Sequence, residues 1–249
     1  MTRQTFLRKA LGNSTYRVLT QTPRLISFIL HPKYEPEAQI LPQLVKHGMT
    51  CFDIGANYGF YARLLSPLAG RMGKVYSFEP SSITCAGLKL VKRVLGLRNV
   101  TVTQCALSEA PGQLTLTIPI KKHGGLGIAL AHLGQSLDRE GITETVAVKT
   151  LDGFLQENNI TACDFLKCDV EGAEMLVLKG GTQTIAKFKP IMLLEIDASY
   201  LRRNNHTIEQ MNELLRGYGY SFHTLENGAL KQADGLVDMR NNFLIPSSK

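Results

Sequence analysis

The chain has 249 residues, 44% hydrophobic and 20% charged, which suits one α/β domain with a sizeable core and excludes a disordered chain. Its net charge of +7 is unevenly spread, because Arg3, Arg8, Lys9, Arg17, Arg24 and Lys33 all precede the first acid, Glu35. The body is therefore close to neutral, which argues against a broad nucleic-acid face, and no apolar run approaches the roughly 20 residues of a membrane span.

Residues 1–36 read as a basic arm, and residues 37–249 as one domain. The arm lacks the apolar core of a secretory signal. It reads as an amphipathic helix capping the domain or its substrate site, although its Arg- and Thr-rich, acid-free composition also resembles an organelle transit peptide. The five cysteines, Cys51, Cys85, Cys105, Cys163 and Cys168, are odd in number and show no Cys-x-x-Cys spacing. That pattern fits buried, reduced thiols in a cytoplasmic protein better than a disulfide framework or a zinc site.

From residue 37 onward the pattern alternates helix and strand. A helix is expected over 37–46, stopped by Gly48. A buried strand follows over 50–54, then a helix over 57–68 that Pro67 should kink or end. A strand over 74–78 leads to a helix over 81–95 with Ser81 or Ser82 as N-cap, and then to a strand over 100–104. Segments 113–118 and 145–149 alternate by two and form an added antiparallel pair. The glycine-rich stretch 121–141 between them reads as a mobile loop suited to substrate contacts. A short helix over 151–157 precedes strands at 165–169 and 191–196. These are separated by a helix from about Ala173 that Gly180 and Gly181 end. A helix near 207–216 and strands near 218–225 and 242–245 complete the chain. Such repeated units imply a largely parallel sheet with helices on both faces.

The first strand ends in Asp53-Ile54-Gly55-Ala56-Asn57-Tyr58-Gly59. Glycine at a strand's carboxyl end permits a tight turn and close ligand approach. A dinucleotide fingerprint would need glycine at 57 and 60, where Asn and Phe stand, and this counts against a nicotinamide cofactor. The second strand ends in Phe78-Glu79-Pro80, placing an acid where α/β nucleoside sites hold ribose hydroxyls. The later strands end in Lys167-Cys168-Asp169-Val170-Glu171-Gly172-Ala173-Glu174 and Glu195-Ile196-Asp197. Asp53, Glu79, Asp169 and Glu195 should therefore gather at the carboxyl edge, where they could position an ammonium, act as a base or hold a divalent metal. Single members could equally cap helices or pair with Lys167.

These stretches, with Phe60-Tyr61, Ala106-Leu107-Ser108, Thr150-Leu151-Asp152 and Val177-Leu178-Lys179-Gly180, resemble the FkbM family of S-adenosylmethionine (SAM)-dependent methyltransferases over roughly residues 48–225. The resemblance implies a Rossmann-like class I methyltransferase fold with a seven-stranded sheet, one strand antiparallel. It implies that Asp53, Gly55, Ala56, Asn57, Tyr58 and Gly59 contact the methionine part of SAM. Glu79, with Pro80 beside it, would hold the ribose, and Cys105 and Ala106 would lie near the adenine. Asp169 could serve the cofactor as well as the chemistry. The acceptor it implies is a hydroxyl on a small molecule or glycan. Asp169 or Glu171 is the expected base, with Lys167 or His123 stabilising the alkoxide, and no metal ligand is assigned. Lys121 and Lys122 beside His123 could meet an anionic substrate. The rival readings are an RNA methyltransferase, a nicotinamide oxidoreductase and a cofactor-binding protein without catalysis.

Overall fold

The central strands are buried along nearly their whole length, so both faces of the sheet they form are covered. The computed structural model describes residues 35–119, 132–133 and 141–247. The chain opens with a 3-10 turn at Pro36–Gln39 and a helical turn, α1 (Leu41–Leu44). A continuous helix over 37–46 is not formed. Pro42 tolerates only the first turn of a helix, so a new one starts there.

Next come β1 (Thr50–Ile54), α2 (Phe60–Ala69), β2 (Lys74–Phe78), α3 (Ser82–Val94), β3 (Val100–Thr103), β4 (Ala106–Leu107) and β5 (Gly112–Pro119). They are followed by β6 (His132–Leu133), β7 (Gly141–Lys149), α4 (Leu151–Glu157), β8 (Phe165–Cys168), α5 (Glu174–Lys179), α6 (Thr182–Phe188) and β9 (Ile191–Ile196). The last elements are α7 (Ala198–Leu201), α8 (Ile208–Gly217), β10 (Tyr220–Glu226), β11 (Ala229–Ala233) and β12 (Arg240–Pro246).

Eight strands form the main sheet in the order β11-β10-β12-β9-β8-β1-β2-β3. From β9 to β3 every pairing is parallel, and β12 runs antiparallel between β9 and β10. This is the expected seven-stranded arrangement, extended by β11, which forms an edge hairpin with β10. The added antiparallel pair, β5 with β7, belongs to a second sheet of order β4-β7-β5-β6. The rest of the 121–141 stretch, including His123, lies outside the described residues, as does the arm before Glu35.

Phe52, Ile54, Leu166, Met192 and Leu194 face one core layer with α4, α5 and α8. Cys51, Val75, Phe165, Leu193 and Phe243 face the other, under α2. All five cysteines are free and buried. The second helix starts at Phe60 rather than 57, because Asn57 and Gly59 adopt φ of 50° and 92°. It runs past Pro67, and the Gly70 N–H still donates to the Ser66 carbonyl at 3.1 Å.

The helix expected from Ala173 ends at Gly180-Gly181 as its glycines imply, and a second, unexpected helix, α6, follows at once. A Cβ on Gly180 would sit 2.0 Å from the Ser108 carbonyl oxygen, so the glycine lets α5 close onto the second sheet. Asp152 starts α6 by accepting from the N–H groups of Gln183 (3.0 Å) and Thr184 (2.8 Å) and from the Thr184 hydroxyl (2.6 Å). Thr150 caps α4 by accepting from the Gly153 N–H. The Thr150-Leu151-Asp152 stretch is thus a pair of helix caps. Asp152→Ala should lower stability by about 1–2 kcal/mol, the usual cost of a lost cap. Urea denaturation should show a lower midpoint at unchanged slope.

Candidate active site

The chain leaves β1 for β2 on one side and returns to β8 on the other, so the end of β1 is the switch point of the sheet, where open α/β folds bind ligands. The turn there is held from both sides. Gly55 and Ala56 donate their N–H groups to the Phe78 carbonyl at 3.0 and 2.9 Å, and Asp169 donates its own to Ile54 at 3.0 Å. Gly55 sits at φ +78°, and a Cβ there would lie 1.7 Å from the Asp169 carbonyl oxygen. Only glycine lets the two turns approach so closely.

Glu79 bridges the β1 and β2 turns. Its Oε2 accepts from the Asn57 N–H (2.9 Å) and its Oε1 from the Ser81 N–H (3.0 Å). The side chain is 8% exposed, and burial pushes its carboxyl up to about 7. A carboxylate accepts about four hydrogen bonds, so two positions remain for hydroxyl donors. Pro80, half-buried, follows it out of the turn. The Glu79 N–H donates to the Thr103 carbonyl at 3.2 Å, which ties this turn to the end of β3 just before Cys105 and Ala106. Both of those side chains are buried. Cys105 lies in the core with Phe52 and Phe78, and Ala106 lies with Leu116, Ile118, Val146 and Val148. Tyr58 packs with Ile83 on that last cluster.

Beneath the turn is a charged row. Asp53 on β1 is in register with Lys167 on β8, and both are buried. Lys167 Nζ lies 2.8 Å from Asp169 Oδ2 and 4.9 Å from the centre of the Tyr61 ring. Burial alone would lower the lysine's pKa, but the carboxylates of Asp169 and Asp53 outweigh it and raise it. Burial pushes Asp53 up to about 6 against the pull of Lys167. Burial would also raise Asp169, but the Lys167 ammonium prevails and holds it below its usual value. Glu195, on the next strand, is pushed up to about 8 by burial and then by the charge of Asp169. Among the described residues no group of three or more His, Cys, Asp or Glu side chains could hold a metal ion.

The Glu171 turn is clamped from below. Glu174 is 2% exposed, and its Oε1 accepts from the N–H groups of Val170 (3.0 Å) and Gly172 (3.2 Å). Asn204 donates to the Gly172 carbonyl at 2.9 Å, and a Cβ on Gly172 would meet the Tyr200 carbonyl oxygen at 2.4 Å. Glu171 itself is half-buried at φ 54°, and burial, then Asp169, push it up to about 7. The Arg203 guanidinium stacks 4.1 Å above the Tyr200 ring beside it.

The structure therefore brings Asp53, Gly55, Asn57, Glu79, Lys167, Asp169, Glu171 and Glu195 to one edge. His123, Lys121 and Lys122 lie outside the described residues. Sequence reasoning missed the Glu174 clamp, although an acid opening a helix just after a glycine turn signals one. It also missed Tyr61 over Lys167. Glu144 was missed too; both its oxygens accept from the Ser82 N–H, at 3.0 and 3.2 Å, and so fasten the second sheet to α3. Glu144 has no local signal, since its partner is 62 residues away.

A mostly parallel sheet with a seventh strand inserted antiparallel, and with an acidic switch point, defines a Rossmann-like class I methyltransferase fold. The model of the methyltransferase FkbM domain matches residues 53–222, and the chain belongs to that family. Methyltransferase FkbM from Methylobacillus flagellatus KT is similar in structure, with a TM-score of 0.50 at 14% identity. The match covers 91% of this chain and 59% of that one, so the chain spans about three fifths of that protein's length. A SAM-dependent O-methyltransferase from Thermotoga maritima gives a TM-score of 0.47 at 14% identity, over 88% of this chain and 69% of that one. Fibrillarin from Aeropyrum pernix, in complex with SAM, gives 0.46 at 15% identity, over 84% and 72%. No protein of curated function matches in sequence. Among the described residues no helix is long and apolar enough to cross a membrane.

Proposed function

We propose that this domain is a SAM-dependent O-methyltransferase that methylates a hydroxyl on a small molecule or glycan. The observation that carries the reading is Glu79, a buried carboxylate fixed by two backbone N–H groups with two acceptor positions to spare. The donor set fits the cofactor. Glu79 meets a ribose diol, the open turn at Gly55–Gly59 takes the methionine part, and the acid-rich edge suits a cationic ligand. Asp169, kept ionised by Lys167, meets the ammonium. Cys105 and Ala106 border the adenine through the backbone at the end of β3.

When bound, SAM supplies an electrophilic methyl on a sulfonium. The new C–O bond forms as the S–C bond breaks, and the hydroxyl proton passes to a protein base. Of the two carboxylates expected in that role, Glu171 fits better, because its value of about 7 matches a base working near neutrality, whereas Asp169 is held low by its ion pair. Lys167 is too buried to touch an acceptor and acts by fixing the charge of Asp169. His123 is the remaining candidate for the alkoxide side.

The test is transfer of labelled methyl from SAM into a panel of hydroxylated small molecules and glycans. Glu171→Gln should lose roughly 10²–10⁴-fold in turnover while keeping its affinity for S-adenosylhomocysteine (SAH). Wild-type turnover should rise as pH increases through about 7, as Glu171 loses its proton. Full turnover by Glu171→Gln would remove the assignment.

A further inference from the structure

At the opposite, amino edge of the sheet lies a cavity of about 580 Å³ between the end of α2 and the starts of β2 and β3. Three cations from three segments line it. Arg71 comes from the α2–β2 turn, Lys74 from the first position of β2 and Arg98 from the α3–β3 turn. No acidic side chain lines it, and among the described residues none of the three forms an ion pair within 4 Å.

The two other polar side chains that line it, Ser66 and Asn99, are already committed. Asn99 donates both amide hydrogens, to the carbonyls of Ser66 and Gly70 at 2.9 Å each, and its Oδ1 accepts from the Ser66 hydroxyl at 2.5 Å. The Asn99 carbonyl accepts from the Val75 N–H at 2.9 Å. These bonds tie the end of α2 to the turn before β3 and use up the polar side-chain acceptors of the lining. The lining side chains left unpaired are cationic and can only donate. An oxyanion completes such a set, and phosphate suits it best because arginine forks match its geometry. The volume leaves room for more than one phosphate.

We propose that this cavity binds a small phosphate-bearing ligand at a site separate from the methyl-transfer edge. The two are separated by the length of β2, roughly 17 Å for five residues. A ligand here therefore acts without touching the reacting atoms.

The experiment is calorimetric titration of the full chain with inorganic pyrophosphate, alone and with SAH present. Wild type should bind with saturation at one site, more weakly as salt rises. Arg71→Ala and Arg98→Ala should each weaken binding by about tenfold or more, since each removes charge-assisted hydrogen bonds. Lys231→Ala, on the far edge strand β11, should not weaken it. SAH affinity should be unchanged in all three variants. All three residues are exposed, so loss of fold is not expected, and melting curves check it. Absence of saturable binding to wild type, or equal weakening by Lys231→Ala, would overturn the proposal.

Discussion

Lys167→Met should destabilise the domain by about 3–5 kcal/mol, the range for removing one partner from a buried ion pair. The side chain is 2% exposed, with its ammonium against Asp169 and its strand position beside Asp53. Methionine fills much the same volume, so the cost is electrostatic rather than a cavity. Without the ammonium, the buried Asp53 carboxyl and the part-exposed Asp169 carboxylate lose their counter-charge. Pairing the change with Asp53→Asn should recover part of the loss, and urea denaturation of the single and double variants measures the coupling. The wild-type pair also has a signature in pH. Asp169 is held below 3.8, so its stabilisation is present above the ordinary carboxylate range and disappears as pH falls through the folded value. Lys167→Met should flatten that acid limb. A variant as stable as wild type, with the limb intact, would show that the row is not held by charge.

Gly55→Ala should cost about 2–5 kcal/mol and abolish SAH binding. The left-handed φ of +78° accounts for about 1–2 kcal/mol, and the rest is the clash of a Cβ with the Asp169 carbonyl oxygen. That oxygen is backbone and cannot swing away, so relief requires the β1 and β8 turns to part, which opens the site. Gly48→Ala is the matching control. Its φ is +88° and nothing lies within 4 Å of the added carbon, so it bears the backbone strain alone. Equal losses from the two substitutions would mean that the approach of the turns does not matter.

Elements specified by local chemistry were legible in the sequence. The strand over 50–54, the strand over 74–78, the helix over 151–157 and the Ser81 cap stand where their patterns place them. The helix expected over 57–68 begins at Phe60, because Asn57 turns left-handed and nothing in the letters signals that. The helix end at Gly180 was legible, but the close approach that requires glycine there was not, because the Ser108 carbonyl is 72 positions away in the chain and adjacent only in space. The carboxylates at the strand ends were legible, since strand order alone gathers them. What each one does was not. Glu171 and Asp169 sit two residues apart in one motif, yet their ionisation is pushed in opposite directions by burial and by Lys167.

The central claim, a SAM site built on Glu79, is tested most directly by calorimetric titration of the protein with SAM and SAH at pH 6 and pH 8, alongside Glu79→Gln. Wild type should bind both compounds, and more tightly at pH 8. The carboxyl of the free protein loses its proton near 7, and the ionised form is the one that accepts hydroxyl donors. Glu79→Gln, folded by its melting curve, should bind about 100-fold more weakly, the loss expected when hydrogen bonds to a charged acceptor are replaced by neutral ones. Folded wild-type protein that binds neither compound at either pH would contradict the account.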